Sequence, residues 1–392
     1  MLAATTMLRV MDITLFGASA LSARRHARTT GRYSLAPTER NDVSTPRLRE
    51  ISPKGRTYLE RFSADGVLHL RMPRPADRPR APKVCGHVTT CALVPGSFER
   101  LMPVPGSKEE RFFQQEQLRL YVDAPALQLC WFARDLSRRN GWEGSRQAVR
   151  RVAVLAMELM GTYSLGPDPS IEAGEAYGLA QLTTKDALAQ QLGELSNIDG
   201  LVLARKAVAR AGEKAASPLE ALFFLYLTLP PRLGGLGISH VLLNHPLDVD
   251  ELRRVGAAHT MLTPDLWLQD LGIVIECDSR LSHDTGAFAV AHAEAAAVDR
   301  REGRNMLRDP FREDRQRAQD CAAANLLPMS VTAEDCASVE ALIAFGRRLC
   351  HAADARNATD KYVKKIERFA RNPEWRSNVR GLLEAFALGG VY

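Results

Sequence analysis

Thr263-Pro264-Asp265 precedes Glu276-Cys277-Asp278, and Asp265 and Glu276 are eleven positions apart. The apolar runs around them, Leu262–Leu268 and Ile273–Cys277, predict two strands with a turn at Gln269–Gly272. Antiparallel pairing across that turn sets Leu268 opposite Ile273 and Asp265 opposite Glu276. The two carboxylates then share one face, with Cβ atoms about 5 Å apart. Asp278, two residues past Glu276, falls on that face too, while Leu266, Ile273 and Ile275 turn to the other, toward a core.

Like charges set opposite one another in a sheet cost stability. Two arrangements answer that cost. A hard divalent cation, Mg²⁺ or Mn²⁺, held by carboxylate and backbone oxygens would neutralise the acids. Such an ion can activate water and stabilise charge building on a phosphate. The other arrangement is a hairpin edge whose acids face water.

Glu220 follows Ser217-Pro218-Leu219 and precedes the apolar run Ala221–Leu229. Ser as N-cap, Pro at the first helical position and Glu at the third make a capping box. The same Glu, in the first turn of a core helix, can overlook a sheet edge carrying the acid pair. His283 lies in the loop-like RLSHDTG. It is either an exposed loop side chain or a general acid, base or phosphate contact. Asp314 and Arg317 stand three apart on one predicted helix face, the pattern of a surface ion pair.

The elements that must position these residues lie in the last half of a 392-residue chain, a length that predicts two or three domains. From Ser217 the order is helix, strand, hairpin, helix, strand, helix, with residues 284–313 as an Ala-, Asp- and Arg-rich insertion. Four segments are expected: a basic, loop-rich N-terminal segment 1–83, a mixed then helical accessory domain 84–215, the acid-bearing domain 216–352, and a helical tail 353–392. Within the first, Met11–Arg28 has the pattern of a short helix and RMPRPADRPRAP that of a linker or an extended arm.

Composition narrows the classes. Apolar residues are 45% and charged residues 25%, which excludes a wholly disordered or collagen-like chain. The apolar run Ala221–Leu229 falls far short of the about 20 residues of a membrane span. Residues 1–80 carry 15 Lys+Arg against 7 Asp+Glu, so the net positive charge sits at the N-terminal end. That charge suits nucleic acid, or equally a solvated Arg-rich surface. Seven cysteines without close pairs, with Cys85-x5-Cys91 off the zinc-ribbon spacing, point to a reducing cytoplasm and to neither disulfides nor structural zinc. Asp12 followed by Arg24, Arg25 and Arg28 is the wrong order for a secretory signal.

Residues 217–350 resemble the PD-(D/E)xK nuclease superfamily, in particular its very-short-patch-repair-like branch, the small DUF559-type domain. The order that carries the resemblance is Glu220 in SPLEALFFL, Asp265 in TPDLWL, Glu276 and Asp278 in GIVIECDS, then His283, then Asp314 and Arg317 in EDRQRAQD. The resemblance implies an α/β, restriction-endonuclease-like core: a mixed sheet flanked by helices, preceded by a mostly helical accessory region with short strands. It implies that Asp265, Glu276 and the backbone carbonyl of Cys277 hold Mg²⁺ or Mn²⁺. Asp278 stands where the superfamily has its Lys, and His283 assists at the phosphate. Ser279 replaces the family's Gly, His283 stands one residue further out, and about 30 residues separate it from Asp314.

Residues 85–138, HVTTCALVP through LRLYVDAPALQLCWFARDL, more weakly resemble the stretch after the DNA-binding head of abortive-infection-type antitoxin and regulator proteins. Two functions follow as expectations. One is a metal-dependent endonuclease acting on DNA in phage defence or repair. The other is a catalytically inactive, nuclease-like DNA-binding regulator or antitoxin with a toxin or regulator as protein partner.

Overall fold

A computed structural model describes residues 11–16, 18–40, 51–63, 66–72, 74, 83–88, 93–139, 141–165, 177–247, 262–278 and 316–387. Contacts divide the chain into two compact units, Met1–Ala211 together with Ala387–Tyr392, and Gly212–Phe386.

The first unit is built on a six-stranded sheet. Its strands are β1 (Met11–Leu15), β2 (Tyr33–Thr38), β3 (Leu68–Arg71), β4 (Val84–His87), β5 (Phe98–Pro103) and β6 (Leu118–Asp123), in the spatial order β2-β5-β6-β1-β3-β4. The helices are α1 (Ala18–Thr30), α2 (Pro53–Leu59), α3 (Lys108–Gln115), α4 (Pro125–Arg139), α5 (Gly141–Leu159), α6 (Lys185–Glu194) and α7 (Leu201–Val208). Ile13, Leu15, Leu68, Leu70, Leu118, Leu120 and Val122, alternate residues of neighbouring strands, pack with Ala20, Ala23 and Ala27 of α1 and with Phe62. Each large side chain buried this way contributes roughly 1.5–3 kcal/mol.

The expected helix over Met11–Arg28 is instead a strand followed by a helix. Met11–Leu15 lies parallel to β6, from Met11 opposite Leu118 to Leu15 opposite Val122. A partner more than a hundred residues away overrides the local pattern. Three of the N-terminal arginines are engaged in the fold, while RMPRPADRPRAP, apart from Arg71, Met72 and Arg74, lies outside the described residues. Arg24 is 1% exposed, ion-paired with Glu99 at 2.5 Å and donating to the Asp123 carbonyl at 2.6 Å. Arg25 forks onto Glu158 at 2.9 and 2.8 Å. Arg28 donates to the carbonyls of Glu158, Gly161, Tyr163 and Ala180. Strands on both sides of residue 83 share one sheet, and the division between the units falls after Ala211.

The second unit begins at Gly212. Its elements are α8 (Pro218–Thr228), β7 (Val241–Leu243), β8 (Leu266–Leu268), β9 (Ile273–Asp278), α9 (316–323), β10 (Leu327–Thr332), α10 (Val339–Asn357), α11 (Lys361–Ala370) and α12 (Pro373–Ala387). The sheet order is β10-β9-β8-β7, with β7, β8 and β9 antiparallel and β10 parallel to β9. Residues Ala221–Leu227 are buried all round α8, the mark of a central helix. Phe223 meets Phe345 edge-on at 4.9 Å, and Tyr226 donates to the Leu342 carbonyl at 2.9 Å. A Cβ on Gly346 would fall 2.6 Å from the Tyr226 hydroxyl, so α10 approaches α8 only through a glycine there. The expected tail is no separate piece. Buried Asp354 of α10 accepts from the Tyr362 and Val363 amides at 3.1 and 2.7 Å, and Trp375 of α12 donates to the Gly235 carbonyl at 3.1 Å.

Candidate functional site

The β8–β9 ladder pairs Leu266 with Ile275, Trp267 with Val274 and Leu268 with Ile273. This is the register read from the sequence, but β8 begins only at Leu266, so the ladder stops one step short of Asp265 and Glu276. A 3-10 turn at Gln269–Leu271 closes on Gly272, whose φ of +60° suits glycine. Leu266, Ile273 and Ile275 are 0% exposed. The acid-bearing face is covered too. Val274 packs there with Leu247, Leu262 and Cys321, and Trp267, Ala324 and Leu326 close over them. Asp265, Glu276, Cys277 and Asp278 are all half-buried, at the end of this covered strip rather than on an open edge.

Around that end, hydrogen bonds fix the acids and the chain beside them. The Cys277 amide donates to Asp265 Oδ2 at 2.6 Å. Arg317, on α9, donates to Glu276 Oε1 at 3.0 Å and to the Thr263 carbonyl at 3.1 Å. The Asn244 amide donates to the Asp265 carbonyl at 3.0 Å, while its side-chain Nδ2 donates to Glu220 Oε2 at 2.5 Å. Asn244 thereby links α8 to the hairpin, and it does so from a φ of +45°, a region that Asn tolerates.

Glu220 is 4% exposed. Ser217 Oγ accepts from its amide at 3.1 Å, but its own carboxylate reaches the Ala216 amide at 2.8 Å. The capping box is thus half made, and the carboxylate serves Ala216 and Asn244 instead. Burial, and then the charge of Asp265, push the Glu220 carboxyl up to about 7, against the pull of its hydrogen bonds. The Cys277 thiol is pushed well up by burial and then by Asp265, Glu220 and Glu276. One thiol therefore feels all three acids.

Asn244 and the partner of Arg317 are what the sequence reading missed. An Asn directly after an apolar strand was the available signal for the first. Arg317 ties to Glu276 of β9. Asp314 and His283 lie outside the described residues. Asp278 ends β9 opposite Thr332.

A group of different chemistry lies in the first unit. His69, Cys85 and His87 present ligand atoms all within 4.8 Å of one another, a cluster capable of coordinating a metal ion. Among the described residues no other three His, Cys, Asp or Glu side chains converge so closely, the hairpin acids included. Cys85 was read only against Cys91, so its partners His69 and His87 were overlooked.

No protein-family model matches the chain, and no curated protein or solved structure is significantly similar to it. Among the described residues, no helix is long and apolar enough to cross a membrane.

Proposed function

We propose that the second unit is a restriction-endonuclease-like core of the PD-(D/E)xK type and hydrolyses phosphodiester bonds of DNA with Mg²⁺ or Mn²⁺. The observation that carries this reading is buried Glu220, with its carboxyl near 7 under the charge of Asp265, and with Asp265 and Glu276 just past the last pair of the β8–β9 ladder. Acids gathered on a covered sheet at such cost are a mark of functional sites. Two carboxylates and the Cys277 carbonyl are hard oxygen donors, the set that Mg²⁺ takes. Bound there, the ion would activate water and stabilise charge on the phosphate. Asn244 holds Glu220 and Asp265 in fixed relation. Glu220 Oε2 accepts two N–H bonds, so its proton resides on Oε1 and is exchangeable near neutral pH. Arg317 neutralises Glu276 and brings a guanidinium to the place a phosphate would enter.

One observation favours the inactive, DNA-binding regulator or antitoxin instead. Asp265 and Glu276 are engaged by the Cys277 amide and by Arg317, and no three of the acids converge within 4.8 Å. Nicking of supercoiled plasmid separates the two. Metal-dependent nicking by the wild type, reduced at least a hundredfold in both Asp265→Ala and Glu276→Ala, supports the nuclease. Equal background in all three proteins, with DNA binding retained, overturns it in favour of the regulator.

A further inference from the structure

We propose that His69, Cys85 and His87 form a binding site for a transition-metal cation of the zinc class, a site separate from the hairpin acids. The register builds it. In the parallel β3–β4 ladder His69 stands opposite Cys85, and His87 follows Cys85 by two residues. All three side chains therefore point to one face, away from Leu68 and Leu70, which belong to the core.

The ligand atoms are already gathered. His69 Nδ1 lies 2.9 Å from His87 Nε2, and the cluster as a whole spans no more than 4.8 Å. Tetrahedral zinc, with Zn–N near 2.0–2.1 Å and Zn–S near 2.3 Å, separates its ligands by about 3.3 Å for N and N and about 3.6 Å for N and S. An opening of about 0.4 Å between the imidazoles suffices to admit the ion.

The backbone around the ligands is anchored. The His69 amide donates to Ser19 Oγ at 2.8 Å, and its carbonyl accepts from the Phe16 amide at 3.0 Å. The His87 carbonyl accepts from the Met72 amide at 2.7 Å. Phe16 stacks on the His87 ring at 4.3 Å, and Trp131 stands behind Phe16 at 5.4 Å. Ligands held this way lose little freedom on binding.

Two imidazoles and a thiolate select borderline and soft cations over Mg²⁺ or Ca²⁺. On binding, Cys85 gives its thiol proton to solvent, and each neutral imidazole offers one lone pair, its remaining proton on the other ring nitrogen. Three protein ligands leave a fourth position for water.

Cobalt is the probe. Metal-stripped full-length chain titrated with Co²⁺ is expected to develop thiolate-to-cobalt charge-transfer absorption and the visible bands of a tetrahedral ion, these signals saturating at one equivalent at this site, and Zn²⁺ should abolish them. Cys85→Ser should abolish the charge-transfer band. His69→Gln and His87→Gln should each weaken binding at least tenfold, and Asp265→Ala should leave it unchanged. No charge-transfer band in the wild type, or one that survives Cys85→Ser, overturns the site. A second readout needs no variant: Zn²⁺ should slow alkylation of Cys85, mapped by mass spectrometry, without slowing that of Cys336. Equal Cys85 rates with and without Zn²⁺ would show a pair of histidines merely hydrogen-bonded to each other.

Discussion

Glu220 shows how one residue answers to both helix and site. Its position in SPLE is dictated by the start of α8, yet its carboxylate turns from the N-cap to Ala216 and Asn244. Water is excluded there, and a neighbouring acid raises its proton affinity to about 7. The ordinary value is 4.5, so the folded chain holds this proton more tightly than the unfolded chain does. The resulting stability is fully present below about 4.5 and is lost as pH rises to about 7, by about 3 kcal/mol at most. Urea midpoints measured with a chelator present should therefore fall across this window in the wild type. Glu220→Gln keeps the shape and cannot ionise, so it should flatten that part of the profile. Unchanged pH dependence in the variant would assign the effect to another group.

At the scale of elements, the second unit depends on close approach between α8 and α10. Gly346 admits the Tyr226 hydroxyl, which in turn satisfies the Leu342 carbonyl. Gly346→Ala should lose about 2–3 kcal/mol through overpacking, although alanine is the better helix former. Tyr226→Phe should cost about 1 kcal/mol for the lost hydrogen bond. Because removing the hydroxyl also removes the clash, the double variant should be clearly more stable than the sum of the two losses. Chemical denaturation of the four proteins measures that coupling, and strict additivity would refute the contact.

The whole chain divides into two units, each with its own sheet. β1 sits between β6 and β3, and Arg24 and Arg25 bind carboxylates more than seventy residues away. Deleting residues 1–83 should therefore unfold the first unit rather than trim an arm. Hydrogen exchange should show lost protection in β5 and β6, with α8 and β9 in the second unit still protected. Protection retained in β6 would mean that the sheet tolerates losing its neighbour β1.

Much of the second unit was legible because its signals are local. The β8–β9 register follows from the period of two and a short turn, and the start of α8 follows from Ser217 and Pro218. The same arithmetic expected Asp265 opposite Glu276, one step past the last pair of the ladder. What local pattern cannot carry is pairing between distant segments. The sequence Met11–Leu15 is a strand only because β6 lies beside it, and His69 meets Cys85 only because β3 and β4 run parallel. Arg317 found Glu276 through packing of α9 on the sheet, and Asn244 found Glu220 through the end of β7. By itself the sequence determined the β8–β9 register and the order of elements around it. Only the tertiary structure decided which face was covered, how far burial raised the Glu220 carboxyl, and that two histidines and a cysteine meet. Burial and long-range pairing are properties of the folded chain, in which residues far apart in sequence exclude water together.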